Sequence, residues 1–335
     1  MSYWKKIKKK YMGDRAFYRH YLLLAVPMIL QNAITNLVSF LDNIMVGQLG
    51  TEQMSGVAIV NQLIFVYNLA IFGAVSAASI FGAQYFGNGD HRGHMHSFRF
   101  KLYATLLVSG LTMLLLLTKG SDLISLYLTD TVGNGATDVA LQYGKQYLVI
   151  MLVGLVPFAV NQAYATNIKE TGQTLVPMLA SFVAVGTNAV LDYLLIFGVG
   201  PFPELGVTGA ALATVIARYV EAVIVVFWAH RNREKNRYLE GAYRGFGIPV
   251  SELKTILIKG LPLMFNEVLW AAGMTTVTQC YSVRGLDVVA GLNIATTITN
   301  LFNIVYIQLG RVSVLLWDSI WEPENWKRQK TQTTR

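Results

Sequence analysis

Cysteine is all but absent. Cys280 stands alone in an apolar stretch, so a disulfide framework and a Cys-rich metal site are both excluded. Charge is scarce as well. Asp, Glu, Lys and Arg make up 14% of the 335 residues, against about 25% in soluble domains. No Gly-x-x-x-x-Gly-Lys-Ser/Thr loop occurs, so an ion gradient is a better expected energy source than ATP. Neither a His-Glu-x-x-His run nor a Gly-x-Ser-x-Gly elbow occurs, which removes the usual constellations of an intramembrane enzyme. The chain is therefore read as no enzyme.

Long hydrophobic runs are what it has. Apolar residues make up 53% of the chain. Runs of roughly 20 residues, enough to cross a bilayer, predict eight helices over 18–46, 55–82, 98–118, 139–165, 174–198, 207–230, 251–281 and 288–315. The fold class expected is an all-α polytopic membrane bundle. The first apolar run is too long for a cleavable signal peptide and lacks a small-residue cleavage site.

The net charge of +8 invites a nucleic-acid reading, but its distribution argues against one. Lys5, Lys6, Lys8, Lys9, Lys10, Arg15 and Arg19 precede the first helix. Arg92, Arg99 and Lys101 follow the second, Lys169 the fourth, and Arg231, Arg233, Lys235, Arg237 and Arg244 the sixth. The intervening loops carry Glu52, Asp122, Asp130, Asp138 and Glu204 instead. This alternation is the positive-inside pattern, with a cytoplasmic N-terminus. His91, His94 and His96 lie on the basic side and are read as a solvated cluster.

Two stretches match without a gap at a constant offset of 235: Pro27 with Pro262, Gly50 with Gly285, Gly56 with Gly291, Ile59 with Ile294 and Asn68 with Asn303. Six helices separate them, so both enter the membrane in the same direction. That is a parallel repeat about an axis along the membrane normal. It divides the chain into a six-helix lobe over 1–246, a partial second lobe over 247–315 and a polar tail over 316–335.

Polar residues inside apolar helices default to function, because a charge there costs roughly 2.5–3.5 kcal/mol on insertion scales. Asp42 lies towards the end of the first helix, where capping the next turn is the ordinary alternative. Asn188 and Asp192 lie four apart on one face of the fifth. Thr214 lies in the sixth, where a bond to its own helix is the alternative, and Glu267 in the seventh. Arg218 and Glu221 are read as an intrahelical pair. Asp42, Asn188, Asp192 and Thr214 offer hard oxygen ligands for a small cation such as Na+, or a proton held between carboxylates.

Several segments resemble the multidrug and toxic compound extrusion (MATE) family. They are Leu24-Ala25-Val26-Pro27-Met28, Asp42-Asn43-Ile44-Met45-Val46-Gly47, Gly82-Ala83-Gln84-Tyr85-Phe86-Gly87, Asn188 to Asp192, Gly209-Ala210-Ala211-Leu212-Ala213-Thr214, and Gly260-Leu261-Pro262 with Glu267. The resemblance runs over about residues 15–310. It implies twelve helices in two lobes of a bacterial inner-membrane protein that exports cationic amphipathic drugs in exchange for Na+ or H+, with no other cofactor. It matches Asp42, Asn188, Asp192 and Thr214 to a cation site. It matches Glu267 to an acidic residue of the substrate cavity, to which Gln31, Asn266 and Trp270 are also assigned. The partners expected are cationic drugs and the lipid bilayer, with no nucleic acid, and a monomer is expected. The rival readings are a related flippase for lipid-linked sugars, which calls for more Arg and Lys facing the cavity, and a non-transporting membrane fragment.

The second lobe departs from the family pattern after Gly310. Trp317–Arg335 reads WDSIWEPENWKRQKTQTTR, whereas the first copy reads Gly82-Ala83-Gln84-Tyr85-Phe86-Gly87 at the equivalent place. Read one frame across, the codons permit G-Q-Y-L-G-A-G-K, which restores the repeat. A frame change near codons 305–320 is therefore expected, and with it a chain inactive on its own. Resequencing the gene should reveal four more hydrophobic segments within about 130 codons in the shifted frame. A stop codon or polar sequence in their place would refute the frame change.

Overall fold

The computed structural model describes residues 15–126, 136–244, 247–258 and 302–313, with isolated positions between 260 and 299. Seven long helices follow one another: α1 (Arg15–Gly47), α2 (Thr51–Gly87), α3 (His91–Ser125), α4 (Ala136–Val153), α5 (Leu155–Glu170), α6 (Leu175–Phe197) and α7 (Val207–Arg231). A 3-10 turn follows at Arg237–Leu239, and residues 250–258 and 302–313 are helical. No strand occurs among the described residues. The protein is an all-α polytopic membrane bundle. The expected helices over 251–281 and 288–315 lie largely outside the described residues.

Helices α2, α3, α6 and α7 are each long and apolar enough to cross a bilayer. Leu107, Leu111, Leu114, Leu115 and Leu117 of α3 are all exposed, as a face turned to lipid requires. The expected fourth span is divided. Its halves, α4 and α5, meet at Gly154 and bend by 44°. Pro157 lies three residues on, has no N–H, and cannot bond back to the Val153 carbonyl. Side chains from other helices serve the carbonyls at this bend. The Tyr67 hydroxyl donates to Leu155 O at 2.8 Å, and Arg218 Nη1 donates to Gly154 O at 3.4 Å. Pro27 does the same within α1. It leaves the Leu23 carbonyl without its helical donor, and the Thr174 hydroxyl lies 3.5 Å from that oxygen.

Helix α1 packs on α6, α2 on α3 and α4, and α7 on α6, α4 and α5. Small residues allow the closest approaches. A Cβ on Gly209 of α7 would lie 2.5 Å from Leu195 O of α6. Residues 302–313 lie against α1, where Val312 joins Leu24, Ala25 and Met28 in one buried cluster and the Tyr21 hydroxyl donates to Leu309 O at 2.8 Å.

Of the basic residues after α2, His91 and Arg92 are exposed as their loop-side position suggested and His96 is half-buried, but three others are buried. Lys101 has no exposure, and Arg99 and His94 are only 5% and 2% exposed. Lys101 Nζ donates to Glu170 Oε1 and to Asn167 Oδ1, both at 2.5 Å. His94 Nε2 lies 3.3 Å from Glu170 Oε2. Gly82 leaves room for this cluster, since a Cβ there would lie 2.2 Å from Glu170 Oε2. Arg99 donates to the carbonyls of Gly241, Ala242, Arg244 and Gly247 at 2.7–3.1 Å.

Removing one member of a fully buried pair strands the other charge and costs about 3–5 kcal/mol. Glu170→Gln should destabilise the protein by about that much through Lys101. Thermal unfolding of the detergent-solubilised variant measures it. An unchanged transition would mean that Lys101 is already relieved of its charge or reaches water.

Candidate functional site

A cavity of about 430 Å³ opens between α1, α2, α4 and α7. Its walls follow from local packing. Gly56 of α2 lies against Ala140 and Gly144 of α4, which holds these helices close at one end. Farther along, Asn61, Gln62 and Asn68 of α2 face Tyr147 and Met151 of α4. The Tyr147 hydroxyl donates to Asn61 Oδ1 at 3.3 Å. Asp42 contributes a carboxylate from α1, and Thr214 and Arg218 line the cavity from α7.

Asp192 sits just behind. It is 1% exposed, and Asn188, one turn before it on α6, is 6% exposed. Asn188 lies on the same face of α6 as Asp192, and Asp42 is close enough to act on the Asp192 carboxylate electrostatically. Asn188 Nδ2 donates, at the long distance of 3.5 Å, to Thr214 Oγ1. The four oxygen-bearing residues singled out from sequence thus fall in one neighbourhood, contributed by α1, α6 and α7. The Oδ1 atoms of Asp42, Asp192 and Asn68 are buried without a hydrogen-bond partner among the described residues. A buried acceptor left this way costs about 1–3 kcal/mol. Three orphaned oxygens near one cavity suit a small hard cation, or a proton on a carboxylate. Among the described residues no group of three His, Cys, Asp or Glu side chains could hold a transition metal.

The other expected positions behave differently. Gln31 is half-buried at the α1–α6 seam, where its Nε2 donates to Ser181 Oγ at 2.8 Å. Asn266 is exposed. Glu267 and Trp270 lie outside the described residues. The expected Arg218–Glu221 pair does not form among the described ion pairs. Glu221 Oε1 instead accepts from Ser181 Oγ at 2.5 Å, while the Arg218 guanidinium lies over the Phe158 ring at 5.2 Å. Three positions apart on a helix permits a contact but does not impose one, and here the side chains take different partners. Ser181, Tyr147 and the Asn61–Asn68 wall were not singled out from sequence. The only signal they carried was a polar residue at helical spacing within an apolar run.

The MatE family model matches residues 27–194. A probable multidrug resistance protein NorM of Thermotoga maritima is 26% identical over 280 residues, covering 83% of this chain and 58% of that protein. The multidrug resistance protein MdtK of Klebsiella pneumoniae is 25% identical over 291 residues, covering 87% of this chain and 62% of that protein. A crystal structure of MATE in the bent conformation superposes with a TM-score of 0.79 at 21% identity, covering 94% of this chain and 67% of that one. A transporter of the MOP superfamily from Pyrococcus furiosus, described as having a binding pocket of reverse polarity, superposes with a TM-score of 0.73 at 21% identity, covering 90% and 64%. At such identity these structures establish the fold alone. The chain spans about half to two thirds of the length of these curated relatives.

The Gly56 contact sets the spacing of the cavity walls. A Cβ there would lie 2.5 Å from Ala140 O and 2.8 Å from Gly144 N, whereas one on Gly110 of α3 would meet nothing within 4 Å. Gly56→Ala should therefore lose about 1–3 kcal/mol by overpacking. Gly110→Ala should be neutral or gain up to about 1 kcal/mol from the lower entropy cost of alanine in a helix. Equal melting temperatures for the two variants would contradict the close approach of α2 and α4.

Proposed function

On the premise that the chain belongs to the MatE family of multidrug and toxic compound extrusion transporters, we propose that Asp42, Asn188, Asp192 and Thr214 hold the coupling cation, Na+ or H+, of an antiporter that exports cationic amphipathic drugs. The observation that carries this reading is the half-buried Asp42 and the buried Asp192, each with a buried, unpartnered carboxylate oxygen, at a cavity of about 430 Å³ inside the bundle. A pair of carboxylates in a low-dielectric site attracts a cation strongly, and a cation already bound there weakens the attraction for a second. Drug and coupling ion therefore compete. The ion favours release of the drug only to the extent that it binds the outward-facing state better than the inward-facing one. Relatives named as multidrug resistance proteins support drugs as the substrates; the choice of cationic ones rests on the carboxylates. We assign the six-helix lobe over 1–246 to cation binding, and Glu267 with Gln31, Asn266 and Trp270 to the drug path. The setting proposed is the bacterial inner membrane, with the N-terminus in the cytoplasm and the protein a monomer.

The test is direct binding to the purified chain in detergent. Radioactive sodium and proton uptake report the ion, and a fluorescent lipophilic cation reports the drug. Asp42→Asn and Asp192→Asn should each weaken ion binding by about tenfold or more, while the protein still inserts, because losing a charge lowers the insertion cost. Added ion should displace the dye from the unmodified chain. Ion binding that is unaffected by both substitutions would sink the assignment.

A further inference from the structure

Tyr238 carries a hydroxyl that its surroundings do not use. The side chain is 1% exposed, and its oxygen has no hydrogen-bond partner among the described residues. Its ring packs against those of His94 and Phe98, each at 5.0 Å, and phenylalanine would pack there as well. A buried hydroxyl left unmet is costly, so it calls for a partner. Burial, with the nearby Glu170 carboxylate adding to it, pushes the pKa of this hydroxyl up. It therefore stays a donor, and what it lacks is an acceptor.

His94, 2% exposed, presents a second donor. Lys101 Nζ donates to Asn167 Oδ1, which leaves Asn167 Nδ2 to donate to His94 Nε2 at 3.1 Å. With Nε2 accepting, the neutral ring carries its proton on Nδ1. The bonds that His94 makes among the described residues are both at Nε2, so this N–H is also unmet.

Both residues line one pocket of about 330 Å³, between the ends of α2, α3 and α5 and the 3-10 turn after α7. His91, Lys235 and Arg237 line it too, and all three are exposed. Arg237 Nη1 donates to His91 Nε2 at 3.4 Å, which joins the turn to α3. Glu234 is the acidic residue of the wall, and it makes no ion pair with Lys235 or Arg237 among the described residues. Glu170 lies behind His94 and is met by Lys101. Two fixed positive charges against one negative, with two buried donors that lack acceptors, select an anion. Phosphate suits them because its several oxygens can accept from Tyr238 and His94 at once and still face a guanidinium. The pocket lies at the end of the bundle proposed above to face the cytoplasm, where basic pockets between membrane helices take lipid phosphates.

We infer that this pocket binds a phosphate group, free or on the headgroup of an anionic lipid, with Tyr238 and His94 as its buried donors and Lys235 and Arg237 as its charges. It makes no use of the carboxylate cavity, so it stands or falls separately from the cation reading.

The experiment uses the purified full chain in detergent at fixed ionic strength. Radioactive inorganic phosphate should bind saturably. Phosphatidylglycerol added to the micelles distinguishes the sources, with phosphatidylcholine as its control. Displacement by phosphatidylglycerol alone assigns the pocket to a lipid headgroup, and phosphate binding without displacement assigns it to the free anion. Lys235→Gln and Arg237→Gln, both at exposed positions, should each weaken phosphate binding by about tenfold. Tyr238→Phe should weaken it about fivefold. Without phosphate that variant should melt no lower than the unmodified chain, because the hydroxyl it removes had no partner. Arg233→Gln, exposed but outside the pocket wall, should change nothing. Absence of saturable phosphate binding to the unmodified chain would overturn the inference, a result that needs no variant to fold. So would binding left unchanged by both Tyr238→Phe and Arg237→Gln. Equal losses for Arg233→Gln and Arg237→Gln would overturn it too, because they would show a general attraction to the basic end of the bundle.

Discussion

In hydrocarbon a backbone carbonyl or a charged side chain has no water to turn to, so it must be satisfied within the bundle or open onto a cavity. That requirement organises this fold. Where prolines interrupt the helices, side chains from other helices lie at carbonyls close by. Thr174 stands at the Leu23 carbonyl beside Pro27, and Tyr67 bonds Leu155 O beyond the Gly154 bend. Lys101, buried without exposure, is met by both Glu170 and Asn167. Apolar burial adds little between helices whose alternative is lipid, so small residues and satisfied polar groups decide which helices touch.

Against that background the unsatisfied groups stand out. The orphaned oxygens of Asp42, Asp192 and Asn68 gather near one cavity, where Arg218 also lacks a carboxylate partner. Other buried polar atoms without a partner lie elsewhere among the described residues, on Gln53, Asn161, Asn236, Tyr238 and Gln308. What sets this place apart is that two of its three are carboxylate oxygens, which call for a cation or a proton rather than for one more N–H.

Much of this was legible in the sequence. Six apolar runs gave the helices from α1 to α7, with α4 and α5 read as one. Asp42, Asn188, Asp192 and Thr214 were conspicuous because an apolar run makes a polar residue visible. The bend at Gly154 was not legible, since Gly and Pro are tolerated in many straight membrane helices. The burial of Lys101, Arg99 and His94 was hidden for a different reason. At the end of a helix, a basic residue reads as a loop charge on the cytoplasmic side whether it reaches water or folds inward, and only what a distant segment brings decides between them: Glu170 for Lys101 and His94, the carbonyls between Gly241 and Gly247 for Arg99. The direction of Arg218 was misread because spacing along one helix says nothing of what the neighbouring helix offers. Ser181 drew Glu221 away, and the cavity took Arg218.

The basic segment after α7 reads as a linker in sequence, yet most of it belongs to the bundle. Asn236, Tyr238, Leu239 and Ala242 are all buried, and Tyr238, Leu239 and Ala242 share one core with Phe98, Tyr164 and Val225. The Arg99 guanidinium bonds four carbonyls between Gly241 and Gly247. Moving that stretch would break several charge-assisted bonds at once, each worth about 1.5–3 kcal/mol. Arg231, where α7 ends, is therefore the wrong place to look for a joint. The hold does not stop at Gly247 either, since His96 Nδ1 lies 2.8 Å from Glu252 Oε2 and Ile256 is buried with Ala78 and Phe81 of α2.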